Sequence, residues 1–167
     1  MNDHHFMEKA LEQANQALLE GEFPVGCLIV HKNQIIASGR RTGTRGSRIN
    51  EVDHAEMIAL RRLARLDKSM NNRALALFCT LEPCLMCYAA ILLSGIGKLV
   101  YAYEDVMGGA TGSDVSRLGP LYQINKISIV RHIMRSESLE LLKSFFSNPA
   151  SRYWKGSILA EYTLAQQ

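Results

Sequence analysis

Apolar residues along the chain repeat with two periods, one typical of helices and the other typical of strands. Between Phe6 and Leu19 they recur every three or four positions, which predicts an N-terminal amphipathic helix closed by Gly21. Val25 to Val30 is a continuous β-rich run, and a second apolar run follows after a short polar stretch, which predicts a hairpin of two strands. The remaining predicted elements are a helix over 54–66, a strand over 74–81, a helix over 84–93, strands over 98–103 and 127–130, and helices over 138–146 and 153–164.

The alternation of predicted strands and helices indicates the fold class. Such alternation is typical of α/β proteins, and the early hairpin makes the sheet mixed rather than wholly parallel. The segment 84–93 is hydrophobic all round, which is typical of a central, buried helix. We therefore expect an α/β fold of three layers, α/β/α, around a mixed sheet of about five strands, formed by a single domain over residues 1–167.

The composition narrows the class of protein. With 47% apolar and 21% charged residues, the chain matches soluble globular proteins and differs from disordered or fibrous ones. No apolar run approaches the roughly 20 residues of a membrane-spanning helix, and the start lacks the apolar segment of a secretory signal, so we expect a cytoplasmic protein with no membrane partner. Thiols stay reduced there, which favours core, metal or catalytic roles over disulfides for Cys27, Cys79, Cys84 and Cys87.

Charge adds one candidate binding surface. The net charge of +3 permits an anionic partner without requiring one. The segment 39–50 has almost no apolar residue and predicts a mobile basic loop, which would hold RNA or a nucleotide phosphate, or would only be solvated. Its arginines are Arg40, Arg41, Arg45 and Arg48. The glycine-rich segment 108–113 lacks the Lys-Ser/Thr ending of a phosphate-binding loop.

Cys84 and Cys87 form a Cys-x-x-Cys pair directly after Pro83. At positions i and i+3 the two sulfurs share one face of a first helical turn, where the helix N-terminus favours the thiolate form that binds metals. A structural zinc site needs four protein ligands, whereas a catalytic one needs three and an open position for water. Cys27 and Cys79 do not supply a second pair with zinc-ribbon spacing, so the third ligand is expected to be a histidine.

His54 and Glu56 stand at the start of the helix predicted over 54–66. Residues two apart point to opposite sides of a regular helix, but a residue at the helix cap has non-helical dihedral angles and escapes that restriction. An imidazole, two thiolates and a carboxylate would then suit water activation by zinc followed by proton transfer. A thiol redox protein would not need His54, and a non-catalytic zinc module would not need Glu56, so an enzyme is favoured.

The segments 54–56 and 83–87 together match the H-x-E…P-C-x-x-C signature of zinc deaminases that act on nucleobases. The sequence resembles the cytidine deaminase superfamily, and within it the branch of the bacterial tRNA adenosine deaminase and the guanine and cytosine deaminases. The resemblance covers most of the chain to about residue 113. It also rests on Pro24-Val25-Gly26, Thr80-Leu81-Glu82, Ile96-Gly97, Asp105 and Gly112-Ser113.

The resemblance implies a site and a reaction. Zn²⁺ would be held by His54, Cys84 and Cys87, and Glu56 would carry a proton from water to the ring and then to the departing ammonia. The base would lie against the substrate-binding residues Val25, Arg41, Leu81 and Glu82, of which Val25 and Leu81 would equally serve as ordinary core residues. A homodimer is also implied, and the apolar segment 84–93 would serve either the core or that interface.

Two departures from the family bear on the substrate. Arg41 stands where many relatives have an asparagine that reads the base, a role that Asn50 would have to take over. Glu104 precedes Asp105 where the tRNA enzyme tends to have a basic residue, and this reversal of charge would weaken RNA binding. We therefore expect a small substrate, namely a free base, nucleoside or nucleotide of a purine or pyrimidine, with tRNA adenosine as the alternative.

Overall fold

In the computed structural model, residues 2–66, 70–124 and 126–166 are described, and they form a five-stranded sheet with helices on both faces. The helices are α1 (Asp3–Leu19), α2 (Ala55–Leu63), α3 (Leu85–Leu93), α4 (Pro120–Gln123), α5 (Arg135–Ser147) and α6 (Ile158–Ala165). The strands are β1 (Gly26–His31), β2 (Gln34–Arg40), β3 (Leu75–Leu81), β4 (Lys98–Tyr103) and β5 (Ser128–Val130). None of the described helices is long and apolar enough to cross a membrane.

The sheet has the order β2-β1-β3-β4-β5 and is mixed, as the sequence predicts. Strand β1 is antiparallel to both β2 and β3, whereas β3, β4 and β5 are parallel. The β1–β2 hairpin turns at Lys32 and Asn33, whose φ angles of 47° and 63° give the left-handed backbone typical of such tight turns.

Two helical layers cover the two faces of the sheet. Alternate residues of β1 belong to different hydrophobic clusters because successive side chains of a strand point to opposite faces. Leu28 and Val30 pack with residues of α1, while Cys27 and Ile29 pack with residues of α2 and α3. The predicted three-layer α/β/α architecture is confirmed, and the parallel strand β3 is buried along its whole length between the two layers.

A close approach fixes α2 on the sheet. Gly39 of β2 lies against the first turn of α2, where a Cβ on the glycine would stand 2.1 Å from the Ala55 carbonyl oxygen. Glycine is therefore the residue that this contact requires. The start of α2, which carries His54 and Glu56, is seated directly on the sheet as a result.

Three predicted elements differ from the structure at their ends. Helix α2 stops at Leu63, and Leu66 is exposed instead of inward. The segment 153–157 forms turns rather than the first part of a helix, because Trp154 and Gly156 have positive φ angles and Ser157 caps α6. The basic segment does not begin at residue 39, since β2 continues to Arg40.

Helix α3 is not buried on all sides, so the prediction of a wholly central helix is wrong. Tyr88 and Ile91 face the core, but Leu85 is 60% exposed and Leu93 is 48% exposed. Periodicity could not distinguish the two faces because both are apolar. One face of α3 therefore presents an apolar surface to the outside of the chain.

Candidate active site and metal centre

The ends of two helices bring the predicted metal ligands together. His54 is the N-cap of α2 and Cys84 is the N-cap of α3, both with extended backbone, while Cys87 lies in the first turn of α3. The cap position predicted for His54 is confirmed. His54 is thereby freed from the helical geometry that would point it away from Glu56.

The distances among these side chains fit a zinc ion. The Nδ1 atom of His54 lies 3.6 Å from the Cys84 Sγ and 3.5 Å from the Cys87 Sγ. Tetrahedral zinc, with its usual bonds of about 2.3 Å to sulfur and about 2.0–2.1 Å to nitrogen, places such ligand atoms about 3.6 Å apart. Across the described ranges, these residues form the single cluster of three or more His, Cys, Asp or Glu side chains able to share a metal ion.

The two thiols differ in how readily they lose a proton. The Cys87 thiol donates a hydrogen bond to the Cys84 sulfur, and this bond together with the contact to His54 outweighs burial and lowers the pKa of Cys84 to about 4. The same hydrogen bond and burial raise the pKa of Cys87. A bound dication would displace the remaining proton, since thiolates are the form that ligates metals.

Glu56 lies beside this cluster and is almost inaccessible, with an exposure of 4%. Burial raises the pKa of its carboxyl, and hydrogen bonding to the backbone and the charge of His54 offset only part of that effect. A carboxyl with a raised pKa is suited to accept a proton and hold it briefly, which is the property of a general acid–base group.

A small chamber opens in front of these groups. It has a volume of about 30 Å³, little more than the share of one water molecule in the liquid. Its walls are Phe23, Val25, Arg41, His54, Glu56, Leu81, Glu82, Cys84, Asp105, Tyr153 and Trp154. Every substrate-binding residue expected from the sequence therefore lines the chamber.

Sequence reasoning missed the aromatic part of the wall. Phe23 contacts Tyr153 and Trp154 with ring centroids 5.4 Å and 5.5 Å away, and the latter two rings stack on each other at 4.7 Å. The available signal in the sequence is the pair of adjacent aromatic residues, Tyr153 and Trp154, at the start of the last predicted helix. The helix predicted over 153–164 includes both residues, so the pattern gives no sign that they form a wall.

Arg41 is a buried wall residue rather than part of a loose basic surface. Its side chain is 2% exposed, and its Nη1 donates to the backbone carbonyls of Thr42 and Asp53 at 2.9 Å and 3.0 Å. Its Nη2 donates to Glu51 at 3.2 Å and to the Tyr153 hydroxyl at 3.3 Å. Arg41 therefore joins the segment before α2 to the C-terminal part of the chain.

Glu51 completes this connection next to the metal cluster. Its carboxylate accepts a hydrogen bond of 2.7 Å from the Tyr153 hydroxyl and lies 4.0 Å from Nε2 of His54. Since the Nδ1 atom of His54 faces the sulfurs, Nε2 is the nitrogen left to interact with a carboxylate. Carboxylates in this position commonly orient metal-binding histidines.

Replacement of Arg41 by lysine is expected to lower the free energy of unfolding by about 1–3 kcal/mol, because an ammonium cannot reach four acceptors placed for a planar guanidinium. For a chain of this size each kcal/mol shifts Tm by about 2–4 °C. Thermal unfolding measured by circular dichroism tests this. The control is Arg48→Lys, an exposed position in the same basic segment, which should leave Tm unchanged. Equal Tm values for the two variants would contradict the connecting role of Arg41.

Glu82 is engaged with the opposite wall. Its carboxylate accepts hydrogen bonds from the backbone N–H and the hydroxyl of Thr111, and from the backbone N–H of Asp105 at 3.3 Å. Asp105 in turn accepts from the backbone N–H groups of Met107 and Gly108. The Glu82 side chain thus holds the glycine-containing loop after β4 against the chamber, which assigns a structural task to a carboxylate that sequence reasoning placed on the substrate.

The part of the chain that contains this site matches a known protein family. The family profile described as "Cytidine and deoxycytidylate deaminase zinc-binding region" matches residues 1–103, which include both helix ends that form the metal cluster. The chain belongs to this deaminase family. It is therefore a zinc-dependent hydrolase of the nucleobase and nucleoside deaminase class, as its motifs predict.

Relatives within this deaminase family match over nearly their whole length. The tRNA-specific adenosine deaminase of Buchnera aphidicola subsp. Schizaphis graminum is 36% identical over 152 residues, which are 87% of this chain and 95% of that protein. The tRNA-specific adenosine deaminase of Agrobacterium fabrum is 35% identical over 143 residues, 85% of this chain and 92% of the relative.

Solved structures of the family share the fold. A protein from a study of A-to-I editing by tRNA:A34 deaminases at the wobble position superposes with a TM-score of 0.68 and 33% identity, and covers 82% of this chain and 98% of its own. The guanine deaminase from Nitrosomonas europaea has a TM-score of 0.63 at 21% identity, with 83% and 81% covered, and shows likeness of fold alone. The predicted deaminase fold is confirmed.

Proposed function

We propose that His54, Cys84 and Cys87 hold the zinc ion of this deaminase and that Glu56 is its catalytic acid–base residue. The cluster geometry carries this proposal, because the nitrogen and the two sulfurs have the spacing of three tetrahedral ligands. The fourth position would remain open to the chamber that Glu56 lines. When bound there, zinc supplies a water molecule whose pKa is lowered to about 7.

Glu56 would move the protons of the reaction. It accepts a proton from the attacking water and donates it to the ring nitrogen next to the carbon that bears the amine. Glu56 would then carry the proton of the newly added hydroxyl to the amine nitrogen, so that the C–N bond breaks, ammonia leaves and the oxygen stays on the ring as a carbonyl. Burial of Glu56 supports this role, since its raised pKa brings the carboxyl nearer to the pKa of the groups with which it exchanges protons.

We propose a purine or pyrimidine supplied as a free base, nucleoside or nucleotide as the substrate. The observation that supports it is the aromatic wall of the chamber, which has a volume of about 30 Å³: Tyr153 and Trp154 belong to this wall, and the Tyr153 hydroxyl is hydrogen-bonded to Arg41 and Glu51. A base enters only when this wall shifts. A wall formed by side chains of this chain can enclose a small molecule more completely than a base that is still attached to a folded RNA.

A second candidate is the deamination of adenosine in tRNA. It is favoured by the two relatives of 35% and 36% identity, both of which are tRNA-specific adenosine deaminases. The reversal of charge at Glu104 is also weaker than the sequence implies. Although burial raises the pKa of Glu104, hydrogen bonds from Arg135 and Tyr162 lower it to about 2, so its negative charge is matched by an arginine instead of facing solvent alone.

We further propose that two copies of this cytoplasmic enzyme associate through the exposed face of α3. Leu85 and Leu93 are exposed at the two ends of α3, and Leu85 follows Cys84, which pairs with Gly109 in the loop after β4, where Val106 and Met107 are also exposed. A second copy would bury these side chains, which lie close in sequence to Cys84 and Asp105 of the chamber.

An ammonia-release screen separates the two substrates. It compares adenine, cytosine and guanine, their nucleosides and nucleotides, and a tRNA anticodon stem-loop between about 50 and 200 mM salt. We expect turnover of a small compound with a KM that changes little with salt. RNA recognition would instead lower affinity steeply across this range, because several phosphates must be neutralised. Inosine in the stem-loop without ammonia from any small compound would establish the second candidate and overturn the first.

A further inference from the structure

A groove of about 820 Å³ lies directly behind the aromatic wall of the chamber. It shares Tyr153 and Trp154 with the chamber, so these two side chains form a common wall between the two spaces. A ligand whose base occupies the chamber would extend into this groove if the wall moved aside. The groove is therefore the natural place for the part of the substrate attached to the base.

Two arginines give the groove its charge. Arg45 comes from the segment between β2 and α2, and Arg152 comes from the turn before Tyr153. Within the described parts of the chain, the Arg152 guanidinium has no ion pair or side-chain hydrogen bond. The acidic residue of the groove, Glu51, already interacts with Arg41, so the surplus charge is positive.

Arg45 is held in place rather than free in solvent. Its Nη1 donates a hydrogen bond of 2.5 Å to the carbonyl oxygen of Glu20. The side chain lies over Gly21, where a Cβ would stand 3.2 Å from its Nε. The other guanidinium N–H groups stay available at the groove. An arginine fixed in this way loses less conformational freedom when it binds an anion.

We propose that this groove binds the phosphate of a nucleoside monophosphate whose base is deaminated in the chamber, with Arg45 and Arg152 as its phosphate ligands. The inference rests on the proposed function. Two planar guanidinium groups match a single phosphomonoester dianion, to which arginine can donate paired hydrogen bonds. The hydroxyl groups of Ser47 and Ser151 line the same groove and add neutral donors. Arg41, in contrast, is buried and fully engaged, and it is not a phosphate ligand.

The test compares a nucleoside monophosphate with its own nucleoside. In the unaltered enzyme the monophosphate should have the higher kcat/KM, by about tenfold or more. In the double variant Arg45→Ala/Arg152→Ala the ratio of the two kcat/KM values should fall toward one. The matched control is Arg48→Ala, which removes an exposed arginine of the same segment outside the groove and should keep the ratio.

Titration calorimetry with the nucleoside monophosphate and with inorganic phosphate separates failure of this inference from failure of the proposed function. Binding that is lost in the double variant but kept in Arg48→Ala would support the groove even if no small compound is turned over. Equal kcat/KM values for nucleoside and monophosphate in the unaltered enzyme would overturn it. An effect of the double variant confined to the anticodon stem-loop would also overturn it, and would assign the arginines to RNA.

Discussion

Replacement of Glu56 by glutamine is expected to lower turnover by about 10²–10⁴-fold, the usual contribution of a general acid–base group. Glutamine keeps the size of the side chain and its place in the chamber wall, but it cannot accept a proton from water. Because Glu56 is assigned to proton transfer and not to coordination, zinc should remain at one ion per chain. Ammonia release, together with metal content by mass spectrometry of the same sample, measures both quantities.

A matched control uses another carboxylate of the chamber wall, the half-buried Glu82. Glu82→Gln keeps one oxygen that can accept from the N–H and the hydroxyl of Thr111 and loses the longer bond from the Asp105 N–H, so it should retain far more turnover than Glu56→Gln. Equal losses in the two variants would remove the special role of Glu56. Loss of zinc from Glu56→Gln would instead place this carboxylate among the metal ligands or their supports.

The candidate metal cluster could be predicted from the sequence because local rules bring its residues to defined places. His54 was expected at a helix cap and is one, and Cys84 and Cys87 were expected to share a first helical turn, as they do. Helix ends are determined by nearby residues, so their geometry can be predicted without knowledge of the tertiary structure. The alternation of strands and helices gave the layered fold for the same reason.

The aromatic part of the chamber wall and the burial of Arg41 could not be predicted in this way, because they depend on residues distant in sequence. Arg41 contacts Tyr153 across more than 100 positions in the sequence, and Phe23 contacts the same ring. Amino-acid type alone favoured a solvent-facing Arg41, since arginines are seldom buried without a partner. Arg41 is hydrogen-bonded to Glu51 and to two backbone carbonyls, and the spacing of residues in the sequence does not predict these contacts.

The start of α6 differs from its prediction because left-handed backbone interrupts a segment whose apolar pattern is helical. Apolar residues over 153–164 recur at helical spacing, yet Trp154 and Gly156 adopt left-handed backbone and the helix starts only at Ile158. A tryptophan in this conformation is uncommon and is maintained by its surroundings. The stacking of Trp154 on Tyr153 and its contact with Phe23 provide such surroundings at the chamber.

Replacement of Cys87 by alanine is expected to abolish stoichiometric zinc and, with it, turnover. Two ligands would remain of a site that needs three, and Cys87 is the ligand buried most deeply beneath the cluster. Metal content decides the first point. The second readout is Tm with and without a chelator, because an ion that binds only the folded chain stabilises it by about 2.7 kcal/mol at one hundred times its Kd.

Cys79→Ala is the matched control for this experiment. Cys79 is as fully buried as Cys87 but belongs to β3 and lies outside the metal cluster. Its variant should lose some stability through the small cavity created, yet keep zinc and the response to chelator. For a chain of this size that response corresponds to a fall in Tm of about 5–10 °C, which Cys87→Ala should no longer show. A full zinc content in Cys87→Ala would contradict the proposed ligand set, and zinc loss in both variants would mean that burial of the thiols, rather than coordination by Cys87, maintains the site.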